Sequence, residues 1–449
     1  MKITSFRASS VYGHLNFDLA FHSDLNILIG ANGSGKTTVL KMITYLLTPS
    51  LSRLSLIPFK TVEVDLIPKH SDRVVTLRAD NTSKSMIITI LGASGIDPLR
   101  DKCVVPIVHM SDESKFIGSD LRASLLAKSI WDDQSNTKVY SYLEKLASPY
   151  YVGLDRNFED DQPARLAGST AELLGMKISN NTSVGSKNSI EELQSLLSKE
   201  YKRLKDIEAG RANKLRKEIV ISAFQFSEFA FEDDFATDGQ ALKDRYQALL
   251  DREHEIRGVI ASIEVDSKDV IGQVDVFFKK LKKSYERIGK GDSDLSLMLD
   301  WLVHKAQIER ITSLLKVIDE NKDAVAALYA KTNLFLRRLN LFLVDSGKVA
   351  NLNKVGQLVI ESASKDLIPL NLLSSGEIQI ICLLGQLFFR RDRHIFIIDE
   401  PELSLHVRWQ RRFVESACEA QRSNQLILAT HSPEIVGKYK SHAISVRGR

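Results

Sequence analysis

The most constraining stretch of the sequence is Gly30-Ala31-Asn32-Gly33-Ser34-Gly35-Lys36-Thr37, which fits G-x-x-x-x-G-K-[ST] at every fixed position. The apolar run Asp24–Gly30 leads into it and reads as a short buried strand. Thr37–Leu47 follows with helical spacing and is closed by Pro49. In a strand–turn–helix order the glycines let successive backbone N–H groups point inward as an anion nest. The helix opening at Lys36 adds the positive end of its dipole. Lys36 supplies a mobile cation for β- and γ-phosphates, and the Thr37 hydroxyl can ligate Mg²⁺. Gly30, Asn32, Gly33, Ser34, Gly35, Lys36, Thr37 and Thr38 are therefore the candidate phosphate-binding set.

Three further segments carry chemistry. His394–Pro401 (HIFIIDEP) is an apolar strand ending in two acids. Asp399 would hold Mg²⁺, and Glu400 would orient and deprotonate an attacking water. In Leu373-Ser374-Ser375-Gly376-Glu377, either serine can cap a helix and Gly376 permits close backbone approach, at a helix end that favours phosphate. Leu426–Pro433 (LILATHSP) is a strand followed at once by His431. Each has a plain structural counterpart: a core strand tipped with surface carboxylates, a capped helix start, a structural histidine.

In this order the segments resemble the motif set of ABC-type ATPases. Leu373–Glu377 resembles the signature motif, usually Leu-Ser-Gly-Gly-Gln, which contacts the γ-phosphate bound by the other subunit. His431 matches the switch histidine, and Pro401-Glu402-Leu403-Ser404-Leu405-His406 takes the place of the D-loop. The resemblance implies ATP and Mg²⁺ as cofactors and an ATPase with Glu400, His431 and Lys36 as catalytic residues. It also implies Ser374, Ser375, Gly376 and Glu377 as nucleotide contacts, with Thr37 and Asp399 as metal ligands. Its working unit is two copies packed head to tail. Lys36 and Ser374 stand on either side of a long helical region, unlike membrane-transport ATPases. That arrangement is similar to the branch holding chromosome-maintenance, RecF and OLD proteins. Asp399-Glu400-Pro401-Glu402 followed by Leu405-His406, with Leu-Ser-Ser-Gly-Glu, most resembles the OLD-like ATPases of bacterial anti-phage defence modules.

The implied fold class is α/β: an ABC-type ATPase head, a mixed sheet with an antiparallel subdomain, interrupted by a helical insertion. The expected parts are 1–170 with the glycine-rich loop, 171–340 as insertion, and 341–449 with the other motifs. Met1–Phe6 and Leu15–Phe21 read as a hairpin, and Thr61–Ile67, Val74–Arg78, Met86–Leu91 and Val104–Val108 as further strands. Ile190–Lys217 and Gln240–Ile263 show helical spacing, and Phe229–Gly239 a break between helices. Later strands are expected at Gln357–Glu361, His394–Ile398 and Asn424–Ala429, and a turn and helix over Leu372–Leu387.

The chain has no apolar stretch long enough for a membrane span. Three scattered cysteines (Cys103, Cys382 and Cys418), in no CxxC pair, suit a reducing compartment and exclude a zinc hook. A cytoplasmic protein is expected. With no nuclease constellation and few residues after His431, any nuclease or toxin activity is expected from a separate effector protein. Basic clusters at Lys202–Lys205, Arg211–Lys217 and Lys279–Lys283 suit either a solvated helix face or a surface for DNA or RNA. No Q-loop glutamine can be assigned; Arg156 is the candidate for facing the site from that side. Two roles stay open: the ATPase subunit of an anti-phage complex, or a RecF-like DNA clamp in repair.

Overall fold

The computed structural model describes residues 1–106, 137–153, 158–159, 184–224 and 295–448, apart from 49, 70, 72, 83, 147, 391 and 392, with scattered positions between 247 and 286. Arg156, Phe229–Gly239 and most of Gln240–Ile263 lie outside the described residues. The elements run β1 (Lys2–Val11), β2 (Leu15–Ala20), β3 (Leu25–Ile29), α1 (Lys36–Leu47), α2 (Leu51–Ser55), β4 (Thr61–Ile67), β5 (Val75–Asn81), β6 (Ser85–Leu91), β7 (Cys103–Pro106), α3 (Lys138–Lys145), β8 (Tyr150–Val152) and β9 (Phe158–Glu159). Two long helices follow, α4 (Val184–Phe224) and α5 (Leu295–Leu343). The rest is β10 (Lys348–Leu352), β11 (Leu358–Ser362), β12 (Leu367–Ile368), α6 (Ser375–Phe389), β13 (Ile395–Asp399), α7 (Val407–Ala420), β14 (Gln425–Thr430), α8 (Pro433–Val436) and β15 (Ala443–Ser445).

Alternation builds the first sheet, six antiparallel strands in the order β2-β1-β4-β5-β6-β7. In β4, Val62, Val64 and Leu66 turn inward and are buried, while Glu63 and Asp65 take the other face. Register sets Arg7 and Arg78 opposite Glu63 from either side, and both arginines pair with it at 3.0 Å. Val39, Leu40, Ile43, Leu46 and Leu47 of α1 bury against the inner face.

The second sheet has the order β15-β3-β14-β13-β8-β9 and is parallel except for β9. Its central strands are continuous apolar runs because both faces are covered; every residue of β13 and β14 is buried. Gln425 ties it to the first sheet: its fully buried carboxamide accepts from Ile3 N and donates to Ile3 O and His22 O, each at 2.7 Å. The mixed α/β fold with an antiparallel subdomain is thus the one expected.

Beyond expectation is a third, three-stranded sheet, β10-β11-β12. Side chains dock helix roots on it. Gln194 of α4 exchanges two hydrogen bonds with the Leu358 backbone, and Asn340 of α5 does so with Ala350.

The chain divides into two compact units, Met1–Glu200 with Thr332–Arg449, and Tyr201–Lys331. The divisions fall inside α4 and α5, and the expected boundary at 170/171 lies outside the described residues. Leu193, Leu197, Phe335, Leu339 and Phe342 belong to the core formed with α6 and α7, which holds those turns in the first unit. Within the second unit, Tyr329 donates to Glu208 at 2.7 Å, and Lys205 pairs with the same carboxylate at 2.8 Å. Among the described residues no helix is long and apolar enough to cross a membrane.

Candidate functional site

Register brings the site together. Asp399 at the end of β13 lies opposite Ala429 of β14, and Ala429 lies opposite Leu28 of β3. The carboxyl ends of three neighbouring parallel strands therefore carry Asp399–Glu400, Thr430–His431 and the loop that starts at Gly30. That crevice is where open α/β sheets bind ligands.

The loop has the backbone its sequence requires. Gly33 and Gly35 have φ of 78° and 92°. Gly35 is also the N-cap of α1, and a Cβ there would meet Phe17 Cζ at 2.6 Å. With no side-chain cap and no acid in its first turn, α1 leaves its N–H groups and dipole to a ligand. Asn32 and Gly33 are exposed; Thr37 and Thr38 are half-buried in the first turn of the helix. Ser34 Oγ is buried without a hydrogen-bond partner.

Lys36 is 5% exposed. Its ammonium donates to Gly30 O at 3.0 Å and Ala31 O at 3.4 Å, and stands 2.6 Å from His431 Nε2. A charged Lys36 makes that nitrogen the acceptor. Burial lowers the ammonium's pKa below the usual lysine value, while Glu400, Asp399 and Glu402 pull it back up. His431 Nε2 also stands 3.6 Å from Glu400 Oε1.

Asp399 is 3% exposed, and neither carboxylate oxygen completes a hydrogen bond. Burial raises its pKa, the Thr37 hydroxyl lowers it without reaching ordinary hydrogen-bond geometry, and Glu400 adds to the rise. Two orphaned oxygens beside a hydroxyl fit a small hard cation, which takes one or two protein oxygens and the rest from phosphate and water. Glu400 has φ of 48°, uncommon for a residue with a side chain, and is pinned by its N–H to Ala429 O at 2.8 Å.

Ser374–Glu377 forms a separate cluster at the start of α6. Ser374 is the N-cap, and a full capping box joins it to Glu377. Ser374 and Ser375 are exposed, whereas Glu377 is 2% exposed. The Glu377 carboxylate faces inward, accepting from Lys348 at 2.7 and 2.9 Å, Ser346 at 2.8 Å and the Ser374 amide at 2.8 Å. Burial would raise its pKa, but Lys348, the Ser374 amide and the two hydroxyls outweigh that and hold it at about 2. A Cβ on Gly376 would stand 2.6 Å from Ser404 O, so this glycine lets the 401–406 turn press onto the helix start.

Sequence reasoning missed Lys348, Ser346 and Glu402. Glu402 Oε1 accepts from Thr430 Oγ1 at 2.6 Å, His431 N at 2.7 Å and Ser432 N at 3.1 Å. Its only local signal is an extra acid just past the Asp399–Glu400 pair, with nothing to say it reaches a strand end 28 residues on.

A glycine-lined anion nest beside a buried carboxylate and a tethered histidine is the site of a P-loop nucleotide hydrolase. The family model described as AAA ATPase domain matches residues 1–436, and the chain belongs to that family. It is an ATPase, cleaving ATP to ADP and phosphate. No curated protein matches the chain. Similar solved structures include the Smc head domain with an extended coiled coil, bound to the C-terminal domain of ScpA, derived from Pyrococcus furiosus; the identity is 15% and the TM-score 0.37, covering 100% of this chain and 94% of that one. The SmcHead bound to the C-winged helix domain of ScpA matches at 11% identity and TM-score 0.36, over 99% and 94%. The Smc head domain with a coiled coil and joint derived from Pyrococcus yayanosii matches at 14% and 0.32, over 99% and 94%.

Proposed function

We propose that two copies of this chain close head to tail over ATP, each site joining one copy's 30–37 loop to the other's Ser374–Gly376. The loop amides and Lys36 hold the β- and γ-phosphates. Thr37 and Asp399 hold Mg²⁺, which when bound neutralises phosphate charge. Glu400 orients the attacking water and takes its proton; His431 contacts the γ-phosphate. Glu377, its carboxylate committed within its own subunit, keeps Ser374–Gly376 in place. The observation that carries this reading is the meeting of Lys36, Asp399, Glu400 and His431 at the mouth of one sheet, with both Asp399 oxygens free to accept.

In the cell, this engine serves as the ATPase subunit of a cytoplasmic anti-phage complex that scaffolds or restrains a separate nuclease or toxin. The resemblance of Asp399–His406 and Leu373–Glu377 to OLD-like ATPases supports that role. Glu400→Gln is expected to keep nucleotide binding, lose turnover by about 10²–10⁴-fold and trap the closed pair. Wild-type turnover in that variant would remove Glu400 from the mechanism. Tagged Glu400→Gln protein, purified from its native cells with ATP and analysed by mass spectrometry, tests the role. A stoichiometric nuclease-like or toxin-like partner supports it; recovery with DNA and repair proteins alone points to the RecF-like clamp.

A further inference from the structure

We infer that Glu402 is a positioning residue that fixes His431 from the 401–406 turn. One carboxylate oxygen receives the Thr430 hydroxyl and the two consecutive amides of His431 and Ser432. Three donors on one oxygen hold the backbone on both sides of the histidine Cα, so the ring is aimed before any ligand arrives. The other oxygen, Oε2, is buried and accepts nothing. A half-satisfied buried carboxylate costs stability, and the Oε1 clamp is what the fold obtains for that cost.

A second contact runs in parallel. Gln410, on α7, donates to Leu405 O at 2.9 Å and accepts from the Ser432 hydroxyl at 2.7 Å. The same hydroxyl caps α8 through Glu434 N at 3.1 Å. The 401–406 turn is thus bonded to the histidine loop by two independent side chains. On its other flank it presses Ser404 O against Gly376. A shift of the turn would therefore move His431 through Glu402. A displaced histidine cannot keep its 2.6 Å contact with Lys36.

The inference rests on the reading of His431 as a phosphate contact, and the experiment separates the two. ATP turnover and ATP affinity are measured for Glu402→Ala, Glu402→Gln, His431→Ala and the Glu402→Ala/His431→Ala double variant, with melting temperatures alongside. Glu402→Ala is expected to lower kcat by about 10²-fold, the scale of a misplaced catalytic group, with KM little changed. Glu402→Gln keeps the volume and one acceptor oxygen, so it recovers part of that loss; it also carries the test if the alanine variant does not fold. The double variant is expected to be no slower than His431→Ala alone. Equal, multiplying losses would mean that Glu402 acts elsewhere and overturn the inference. His431→Ala slowed with both Glu402 variants at wild-type rate also overturns it, leaving the histidine's role standing. Normal turnover in His431→Ala overturns both.

Discussion

Lys36 spends its ammonium on Gly30 O, Ala31 O and His431 Nε2, and nucleotide phosphate competes for the same protons. Lys36→Ala should weaken ATP binding by about 10–100-fold, the worth of one charge-assisted hydrogen bond, as read by equilibrium titration. Its fold should survive, since α1 stays packed through Val39, Leu40 and Ile43. Gly35→Ala should do worse. At φ of 92° and with Phe17 in the way, an alanine costs about 1–3 kcal/mol in backbone strain before any clash is counted. Chemical unfolding should show that loss, and unchanged stability would mean that the loop relaxes freely. The positions of these residues are legible in sequence because what fixes them is local: a glycine with positive φ, a lysine at a helix start, an acid at a strand end. Glu402 was not, because a carboxylate that binds amides beyond another strand leaves no periodic trace.

At the scale of elements, the capped start of α6 carries a pH signature. The folded Glu377 value of about 2 lies below its free value of 4.5. Its stabilisation is therefore complete above about pH 4.5 and is lost as pH falls from there toward 2. Unfolding midpoints across that window should fall in the wild type and flatten in Glu377→Gln. At neutral pH the substitution should cost about 3 kcal/mol, because it leaves Lys348 without its counter-charge. A flat wild-type profile would mean Glu377 stabilises nothing. How plainly an element shows in the sequence depends on its period and length. The alternation of β4 named its buried face, and the apolar runs of β3, β13 and β14 named the parallel sheet. β12 and β15, at two and three residues, are too short to show any period. The third sheet is bonded to the helix roots by Gln194, whose partner Leu358 lies 164 residues on, and by Asn340, whose hydrogen bonds to the Ala350 backbone leave no periodic trace. Helical spacing runs unbroken through α4 and α5, so only tertiary packing marks where their turns leave the core.

At the scale of the molecule, the proposed head-to-tail pairing makes a specific demand: the two halves of a site must be separable. Lys36→Ala and Ser375→Arg, the latter a bulky change at an exposed position, should each be inactive alone. Mixed, they form pairs with one intact site, so ATPase activity should reappear; no recovery at any ratio would sink the arrangement. The sheet's strand order has a consequence for how the chain is made. Strand β3 lies between β14 and β15, and Gln425 joins Ile3 across 422 residues. At translation speeds of about 5–20 residues per second, roughly 20–80 s separate those partners' emergence from the ribosome. The antiparallel sheet, built largely from neighbouring strands, can form during that interval. The phosphate loop is already synthesised yet hangs from a strand with no lateral partners, so nascent chains should engage holding chaperones through β3 and acquire nucleotide binding only after β14 docks.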